Sequence, residues 1–254
     1  MSSNWPYPRI VAHRGGGTLA PENTIAALQC GLTHGFRAVE FDVMLAHDGV
    51  PVLMHDERRG RTVPGHGAIA AMTSTELAAL DAGGWFDAAF AGEPVPTFQE
   101  AFTFCQTHGI WMNVEIKPAA GFEYETGQVV GQMTRDLLGA HHAVPLFSSF
   151  SVIALQAARA AAPAIPRGWL VDVIPVDWLA GLRELDAVAL HTNQKRLTEA
   201  QAAAVKAAGF GLFCYTVNDV ARATRLLGWG VDGFCTDRID LIDADFAVRH
   251  LAQS

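Results

Sequence analysis

Histidine and arginine side chains stand at the end of a short apolar run near the start of the chain. His13 follows Ile10-Val11-Ala12 and is itself followed by Arg14 and three glycines. A histidine exchanges protons near neutral pH, a guanidinium binds anions through a rigid fork of N–H groups, and glycine lets the backbone approach a ligand. His55 ends a second apolar run, Pro51-Val52-Leu53-Met54. Two such histidines near carboxylates indicate a general acid and a general base.

Three carboxylates occupy alternating positions in two further apolar runs. In Val39-Glu40-Phe41-Asp42-Val43 both acidic residues fall on one face of a strand, and Asn113-Val114-Glu115-Ile116-Lys117 repeats the pattern. Ionised carboxylates on a shared buried face repel one another and lose solvation, unless a cation lies between them. Glu40 and Asp42, with Glu115 as a third oxygen ligand, therefore predict a hard divalent ion, and Lys117 predicts a site for an anion.

Each of these motifs has a structural alternative when it is taken alone. The glycines after His13 are compatible with an ordinary turn, the paired carboxylates with salt bridges at a rim, and Glu115 with an ion pair to Lys117 on a solvated edge. His55 alone is compatible with a turn or with a buried core histidine. The joint occurrence of these groups favours catalysis. The other eight histidines are interpreted as structural or surface residues, and Asp237 as a structural cap.

Short β-rich runs alternate with longer helical patterns along the chain, which is typical of βα units around a parallel sheet. The predicted strands, close to eight in number, cover 10–12, 38–43, 110–116, 144–148, 168–171, 187–190, 211–216 and 233–235. The predicted helices cover 22–33, 98–107, 123–138, 151–161, 176–183, 198–208 and 219–228. Thr97 and Thr198 open capping boxes, and Asn218 is a predicted N-cap. We therefore expect an α/β fold, a TIM (β/α)8 barrel.

Residues 48–96 depart from this alternation, since they are rich in turns and only 73–80 has a helical pattern. We expect them to form a small insertion after the second strand that caps one mouth of the barrel. The sequence contains no repeat or linker, so one domain is predicted over 1–254. Active sites of TIM barrels lie at the carboxyl ends of the strands. Phe150, Trp169 and Tyr215 are predicted to form the wall of that pocket.

The composition excludes several classes of protein. The 254 residues carry 18 Lys+Arg against 26 Asp+Glu, and half of them are hydrophobic, which excludes a disordered chain. The net charge of −8, without a basic run, makes nucleic acid and anionic lipid poor partners. The four cysteines are widely spaced and indicate free thiols. No long apolar stretch or basic leader is present, so we expect a cytoplasmic protein without stable membrane association.

Ordered motifs along almost the whole chain, from about 9 to 240, resemble the glycerophosphodiester phosphodiesterase family. Those motifs are Ala12-His13-Arg14-Gly15, Pro21-Glu22-Asn23-Thr24, Val39 to Val43, Asp48 to Asp56, Pro96-Thr97-Phe98, Val114-Glu115-Ile116-Lys117, Ser149-Phe150, Thr216-Val217-Asn218 and Val231 to Asp237. The family often has Trp where Tyr215 stands, which would alter the pocket wall and the preferred alcohol.

The resemblance implies a TIM barrel that hydrolyses glycerophosphodiesters, small-molecule substrates, to glycerol 3-phosphate and an alcohol. It implies His13 and His55 as the acid and base, and Arg14 and Lys117 as the cations that bind phosphate. The implied metal ligands are Glu40, Asp42 and Glu115, and the implied ion is Mg²⁺ or Ca²⁺, since an all-oxygen ligand set suits either.

Three other functions remain as alternatives. A lysophospholipase D would act on acylated substrates through the same groups. A metal-dependent TIM-barrel aldolase or isomerase would use the carboxylates and Lys117 but leave the two histidines unexplained. A barrel that only binds phosphoesters would not need two titratable histidines. Dinucleotide binding, NTP hydrolysis, serine hydrolysis and zincin chemistry lack their usual motifs in this sequence.

Overall fold

A closed barrel of parallel strands forms the centre of the computed structural model, which describes residues 5–140 and 142–251. The strands of the described residues are β1 (Ile10–Ala12), β2 (Ala38–Leu45), β3 (Pro51–Leu53), β4 (Trp111–Ile116), β5 (Leu146–Ser149), β6 (Arg167–Val171), β7 (Ala189–Asn193), β8 (Gly211–Tyr215) and β9 (Gly233–Thr236). β1 pairs in parallel with both β2 and β9, which closes the barrel, and β3 is antiparallel to β2 at its edge. The predicted TIM barrel is confirmed.

Most of the helices connect one barrel strand to the next. The helices are α1 (Ile25–Thr33), α2 (Ser74–Ala78), α3 (Phe98–Thr107), α4 (Glu123–Leu137), α5 (Val152–Ala161), α6 (Trp178–Glu184), α7 (Glu199–Ala207), α8 (Val220–Gly228) and α9 (Phe246–Leu251). The capping boxes predicted at Thr97 and Thr198 are confirmed, because each threonine hydroxyl accepts a backbone N–H from the third helical residue, whose side chain binds the threonine in return.

Two predicted helix starts are wrong for local reasons. α1 begins at Ile25 rather than at 22, because Asn23 has a left-handed φ of 59° that a helix cannot contain, and Thr24 caps the helix instead. α8 is capped by the side chain of Asp219 and not by Asn218, whose amide is engaged in the site described below.

The barrel strands bury apolar side chains on both faces. On the outer face, Phe41 packs against Phe98 of α3, with ring centroids 6.2 Å apart. Inside the barrel, at the amino-terminal ends of the strands, Trp5 stacks on Phe213 at 5.8 Å, and Trp111 belongs to the same buried cluster. This aromatic cluster fills the amino-terminal end, so the opposite end carries the cavity.

The connection from β2 to α3 is longer than the others and carries β3, α2 and two short 3₁₀ turns. We call residues 46–97 the excursion. Its small core, which includes Val52, Ile69, Leu77 and Val95, packs against Met44 of β2. Because β3 belongs to this core and pairs with β2, the residues that follow β3 are held at the carboxyl end of the barrel.

The four cysteines are free thiols, as predicted; three are buried and Cys30 is half-buried. In residues 5–140 and 142–251, no helix combines the length and the apolar character needed to cross a bilayer. The cytoplasmic location stays a prediction.

The turn after β1 packs directly on the turn after β9. The amide of Thr18 donates to the carbonyl of Asp237 at 2.8 Å. Gly17 has a φ of 55°, and a Cβ at this position would overlap the same carbonyl group. The two turns therefore fit together only because residue 17 is glycine.

We expect Gly17→Ala to destabilise the fold far more than Gly35→Ala. Gly35 also has a positive φ, of 85°, but a Cβ there meets nothing within 4 Å. Both substitutions carry the backbone cost of about 1–2 kcal/mol. The overlap at residue 17 adds about 1–3 kcal/mol. Urea unfolding of the two variants measures the difference, and equal destabilisation would contradict this packing.

Candidate active site

A cavity of about 200 Å³ opens at the carboxyl ends of the barrel strands. It is lined by His13, Arg14, Glu40, His55, Asn113, Glu115, Lys117, Ser148, Phe150, Leu170, His191, Phe213, Tyr215, Thr216 and Cys235. The residues that the sequence singled out come from β1, β2, β4 and the segment after β3, and the closed barrel brings them to one place. Asp42 lies just behind this surface, buried between Arg14 and Lys117.

The three predicted metal ligands form one acidic cluster. Oxygen atoms of Glu40, Asp42 and Glu115 lie within 4.8 Å of one another. The register explains this proximity, because Asp42 of β2 is paired with Glu115 of β4. Burial, reinforced by the charge of Asp42, raises the pKa of Glu40 to about 7 and that of Glu115 to about 8. The cluster is therefore short of positive charge.

Two cations approach the cluster from the protein. The guanidinium Nε of Arg14 lies 3.4 Å from Asp42, and the Nζ of Lys117 lies 3.3 Å from Asp42 and 3.4 Å from Glu115. Burial alone would raise the pKa of Asp42, but these two charges hold it below its ordinary value. Asp42 is thus the carboxylate that the protein itself keeps ionised.

The segment after β1 also fixes the position of Asp42 through hydrogen bonds with Asn23. The side chain of Asn23 donates to Asp42 Oδ2 at 2.8 Å and accepts the backbone N–H of Asp42 at 3.1 Å. Arg14 and Asn23 both have positive φ, of 49° and 59°. Non-glycine residues rarely adopt this conformation, and such strain is found mainly where the surrounding structure imposes it at functional sites.

His13 is held by a carboxylate from the far end of the chain. Its Nδ1 lies 2.5 Å from Oδ1 of Asp237, and its Nε2 lies 3.7 Å from Glu40. Asn218 donates to the other oxygen of Asp237 and accepts its backbone N–H. Burial would lower the pKa of His13, but the hydrogen bond to Asp237 and the charge of Glu40 raise it above its ordinary value. Nδ1 is thereby committed to Asp237, which leaves Nε2 facing the cavity.

His55 has a parallel arrangement. Its Nδ1 lies 2.6 Å from Oδ1 of Asp56, and the other oxygen of Asp56, Oδ2, accepts from Arg61 at 2.6 Å. Arg61 also donates hydrogen bonds to both oxygens of Glu22. Glu22 accepts a further hydrogen bond from Arg14 at 2.7 Å. Burial lowers the pKa of His55, the opposite direction from His13. The excursion is therefore tied to the turn after β1 by a continuous chain of ion pairs.

Two of the three predicted wall residues line the cavity. The rings of Phe150 and Tyr215 meet edge to face with centroids 5.8 Å apart, and the Tyr215 hydroxyl donates to the carbonyl of Val171. The prediction for Trp169 is corrected by the strand alternation. Its ring points outward and packs against Gly181 of α6, whereas Leu170, the next residue, faces the cavity.

Several residues of the site had no predicted role there. Asp237, which the sequence analysis interpreted as a structural cap, binds His13, while Asp56, Glu22 and Asn23 orient His55, Arg14 and Asp42 respectively. Asp56 and Asn23 had one usable signal, since each lies within or beside a motif next to a site residue. Glu22 and Asp237 also lie in family motifs, 21–24 and 231–237, but no pattern in the sequence pairs Asp237 with His13, which is 224 residues away.

The acidic cluster fits a divalent metal ion. Its donors are all carboxylate oxygens, which hard cations such as Mg²⁺ and Ca²⁺ prefer. Two of its three members have raised pKa values in the absence of further positive charge. A divalent ion would offset the burial and the charge repulsion that raise the pKa values of Glu40 and Glu115.

Comparisons with known proteins agree with this geometry. The model of the glycerophosphoryl diester phosphodiesterase family matches residues 13–241. A phosphodiesterase of Oleispira antarctica, solved in complex with the product sn-glycerol-3-phosphate, superposes with a TM-score of 0.90 at 37% identity, covering 95% of this chain and 97% of that one. A glycerophosphodiester phosphodiesterase of Caldanaerobacter subterraneus subsp. tengcongensis is 32% identical over 90% of this chain and 93% of its own length. One of Bacillus subtilis is 29% identical over 91% and 84%.

The chain belongs to the glycerophosphoryl diester phosphodiesterase family. It is accordingly an enzyme, a phosphoric diester hydrolase built on a TIM barrel. The family resemblance inferred from the ordered motifs is confirmed.

Proposed function

We propose that this enzyme hydrolyses glycerophosphodiesters to glycerol 3-phosphate and an alcohol, with a divalent ion and two histidines. One observation carries the proposal: a single cavity of about 200 Å³ unites an acidic cluster, two cations and two histidines that each have a carboxylate on Nδ1. The product bound to the related Oleispira antarctica phosphodiesterase supports the same substrate class.

Glu40, Asp42 and Glu115 are the residues that would hold the ion, Mg²⁺ or Ca²⁺. When bound, such an ion supplies positive charge that stabilises the negative charge of the phosphoryl group in the transition state. Arg14 and Lys117 add the protein's own positive charge to the same region. Together they bind the phosphodiester and stabilise the additional charge that develops during its displacement.

The two histidines move the protons. With Nδ1 of each ring donating to Asp237 or Asp56, each Nε2 is free to exchange a proton with substrate. One histidine removes the proton from the nucleophile, which is a water or the glycerol 2-hydroxyl, and the other protonates the oxygen of the departing alcohol. Attack by the 2-hydroxyl forms a cyclic phosphate and releases the alcohol; a water then opens the cyclic phosphate with the two histidines in exchanged roles, which returns the proton to the 2-hydroxyl and restores both histidines.

The first test measures release of glycerol 3-phosphate from glycerophosphocholine by purified protein. We expect product in the presence of Mg²⁺ or Ca²⁺, its loss with a chelator, and its return when the ion is restored, because the acidic cluster needs a cation. No product from the choline, ethanolamine or inositol diesters with either ion would contradict the proposal.

The histidines are tested by His13→Ala and His55→Ala, with His66→Ala on the exposed surface of the excursion as the control. We expect each site variant to lose turnover by about 10²-fold or more, the usual contribution of a general acid or base. The control should keep its turnover. Calorimetry should show Mg²⁺ still bound in all three. Near-normal turnover in either site variant would remove that histidine from the mechanism.

A second candidate activity is hydrolysis of acylated glycerophosphodiesters, as by a lysophospholipase D. Exposed apolar side chains follow three neighbouring strands at the mouth: Phe122 after β4, Phe150 and Ile153 after β5, and Val173 and Val176 after β6. Exposed apolar side chains around the mouth of a cavity are a feature of ligand grooves. An acyl chain on the substrate would cover these side chains.

For this second activity we expect Ile153→Ser to lower kcat/KM for lysophosphatidylcholine about 5-fold, since roughly 1 kcal/mol of apolar contact is lost. The kcat/KM for glycerophosphocholine should stay unchanged. Val248→Ser, at an exposed apolar position of α9, should alter neither. Absence of any turnover of lysophosphatidylcholine by the unmodified enzyme would exclude this activity.

A further inference from the structure

The cavity continues inward beyond the carboxylates. Asn113 of β4, Ser148 of β5 and His191 of β7 line it, each one inward-facing position deeper than a residue at the mouth. We call these three residues the polar floor. They are 3%, 0% and 0% exposed, in that order. None of them has a role in the proton transfers or in the acidic cluster.

Polar atoms of the floor lack a partner. Asn113 Oδ1, Ser148 Oγ and both ring nitrogens of His191 accept or donate no hydrogen bond to another described residue. Buried polar atoms in folded proteins are almost always paired, because an unpaired one keeps the full cost of its lost hydration. Three unpaired side chains from three strands that face one cavity therefore indicate a bound partner.

The ring of His191 is held between a glycine and an aromatic ring on the two neighbouring strands. A Cβ on Gly168 would overlap the imidazole of His191, so the ring is accommodated by a glycine on the neighbouring strand. Phe213 lies against the other side, with ring centroids 4.8 Å apart. The ring is thus fixed in place with its nitrogens unpaired.

The floor is uncharged, unlike the mouth. Burial lowers the pKa of His191 to about 3, so the ring is neutral, with one N–H donor and one acceptor nitrogen. Ser148 offers a donor and an acceptor, and Asn113 offers an acceptor oxygen. Leu170 and Phe213 add apolar surface. Mixed donors and acceptors beside carbon surface match hydroxyl groups on a short carbon chain, whereas the charged mouth matches the phosphate.

We infer that Asn113, Ser148 and His191 bind the hydroxylated glyceryl end of the substrate and so determine specificity for it. The inference rests on the proposed function. With the phosphate held between Arg14 and Lys117, the glyceryl group points inward and the alcohol to be released points to the open mouth. The floor then recognises the half of the substrate that keeps the phosphate.

The test compares two monoesters of equal length by calorimetry in the presence of Mg²⁺: sn-glycerol 3-phosphate and n-propyl phosphate, which lacks both hydroxyls. For the unmodified enzyme we expect sn-glycerol 3-phosphate to bind at least 10-fold more tightly. Ser148→Ala should weaken that binding about 10-fold, equivalent to about 1.4 kcal/mol. It should leave propyl phosphate within about 2-fold, because only the hydroxyl contact is lost.

Thr192→Val is the matched control. Thr192 follows His191 on β7 and its hydroxyl is also buried and unpaired, but it is absent from the residues that line the cavity in the described chain. Thr192→Val should leave both affinities within about 2-fold. Equal binding of the two monoesters by the unmodified enzyme, or equal effects of Ser148→Ala on both, would overturn the inference.

Because the calorimetry measures binding without turnover, the role of the polar floor and the proposed hydrolysis can be refuted independently of each other. Loss of discrimination in an enzyme that releases glycerol 3-phosphate would refute the floor alone. Discrimination in a protein that hydrolyses no glycerophosphodiester would support the floor and refute the reaction. Thermal unfolding of Ser148→Ala and Thr192→Val confirms that both variants are folded.

Discussion

Repulsion among three carboxylates, two of them buried and one partly buried, is the constraint around which the mouth of this barrel is organised. Glu40, Asp42 and Glu115 lie within 4.8 Å of one another, where water is scarce and like charges interact strongly. Arg14 and Lys117 compensate two of the three negative charges. A divalent ion would leave the whole cluster with one net positive charge, which matches the single negative charge of a phosphodiester. The repulsion that destabilises the cluster would therefore favour binding of the ion, and the resulting positive charge would favour binding of the phosphodiester.

Carboxylates also orient the two histidines of the site. A histidine that exchanges protons with substrate needs a fixed ring and a defined tautomer, and a carboxylate on Nδ1 provides both. Asp56 does so for His55 from the adjacent position, and Asp237 does so for His13 across the closure of the barrel. The ion pairs through Arg61 and Glu22 then connect the two halves of the site, so that displacement of the excursion would disturb both.

The charged residues of the site could be predicted from the sequence because they follow a short local pattern of alternating polar and apolar residues. Glu40 and Asp42 alternate with apolar residues on one strand, and Glu115 and Lys117 do so on another, so the strand period alone places each pair on one face. In 167–171 the same period places Trp169 and Leu170 on opposite faces but does not say which face points into the barrel, so the prediction for Trp169 was wrong. The helix start at 22 failed because the conformation of Asn23 is imposed by its bonds to Asp42, which lies 19 residues away. Partnerships made by the closed barrel, such as that of His13 with Asp237, have no local pattern at all.

The contact between His13 and Asp237 depends on the closure of the barrel. Residues 13 and 237 are 224 positions apart, and they meet only when β9 inserts between β8 and β1. Contacts of such long sequence separation form late, because a large loop must first be closed. His13 therefore acquires its orienting carboxylate only when the first and last strands of the barrel pair, so closure of the barrel and orientation of this histidine are a single event.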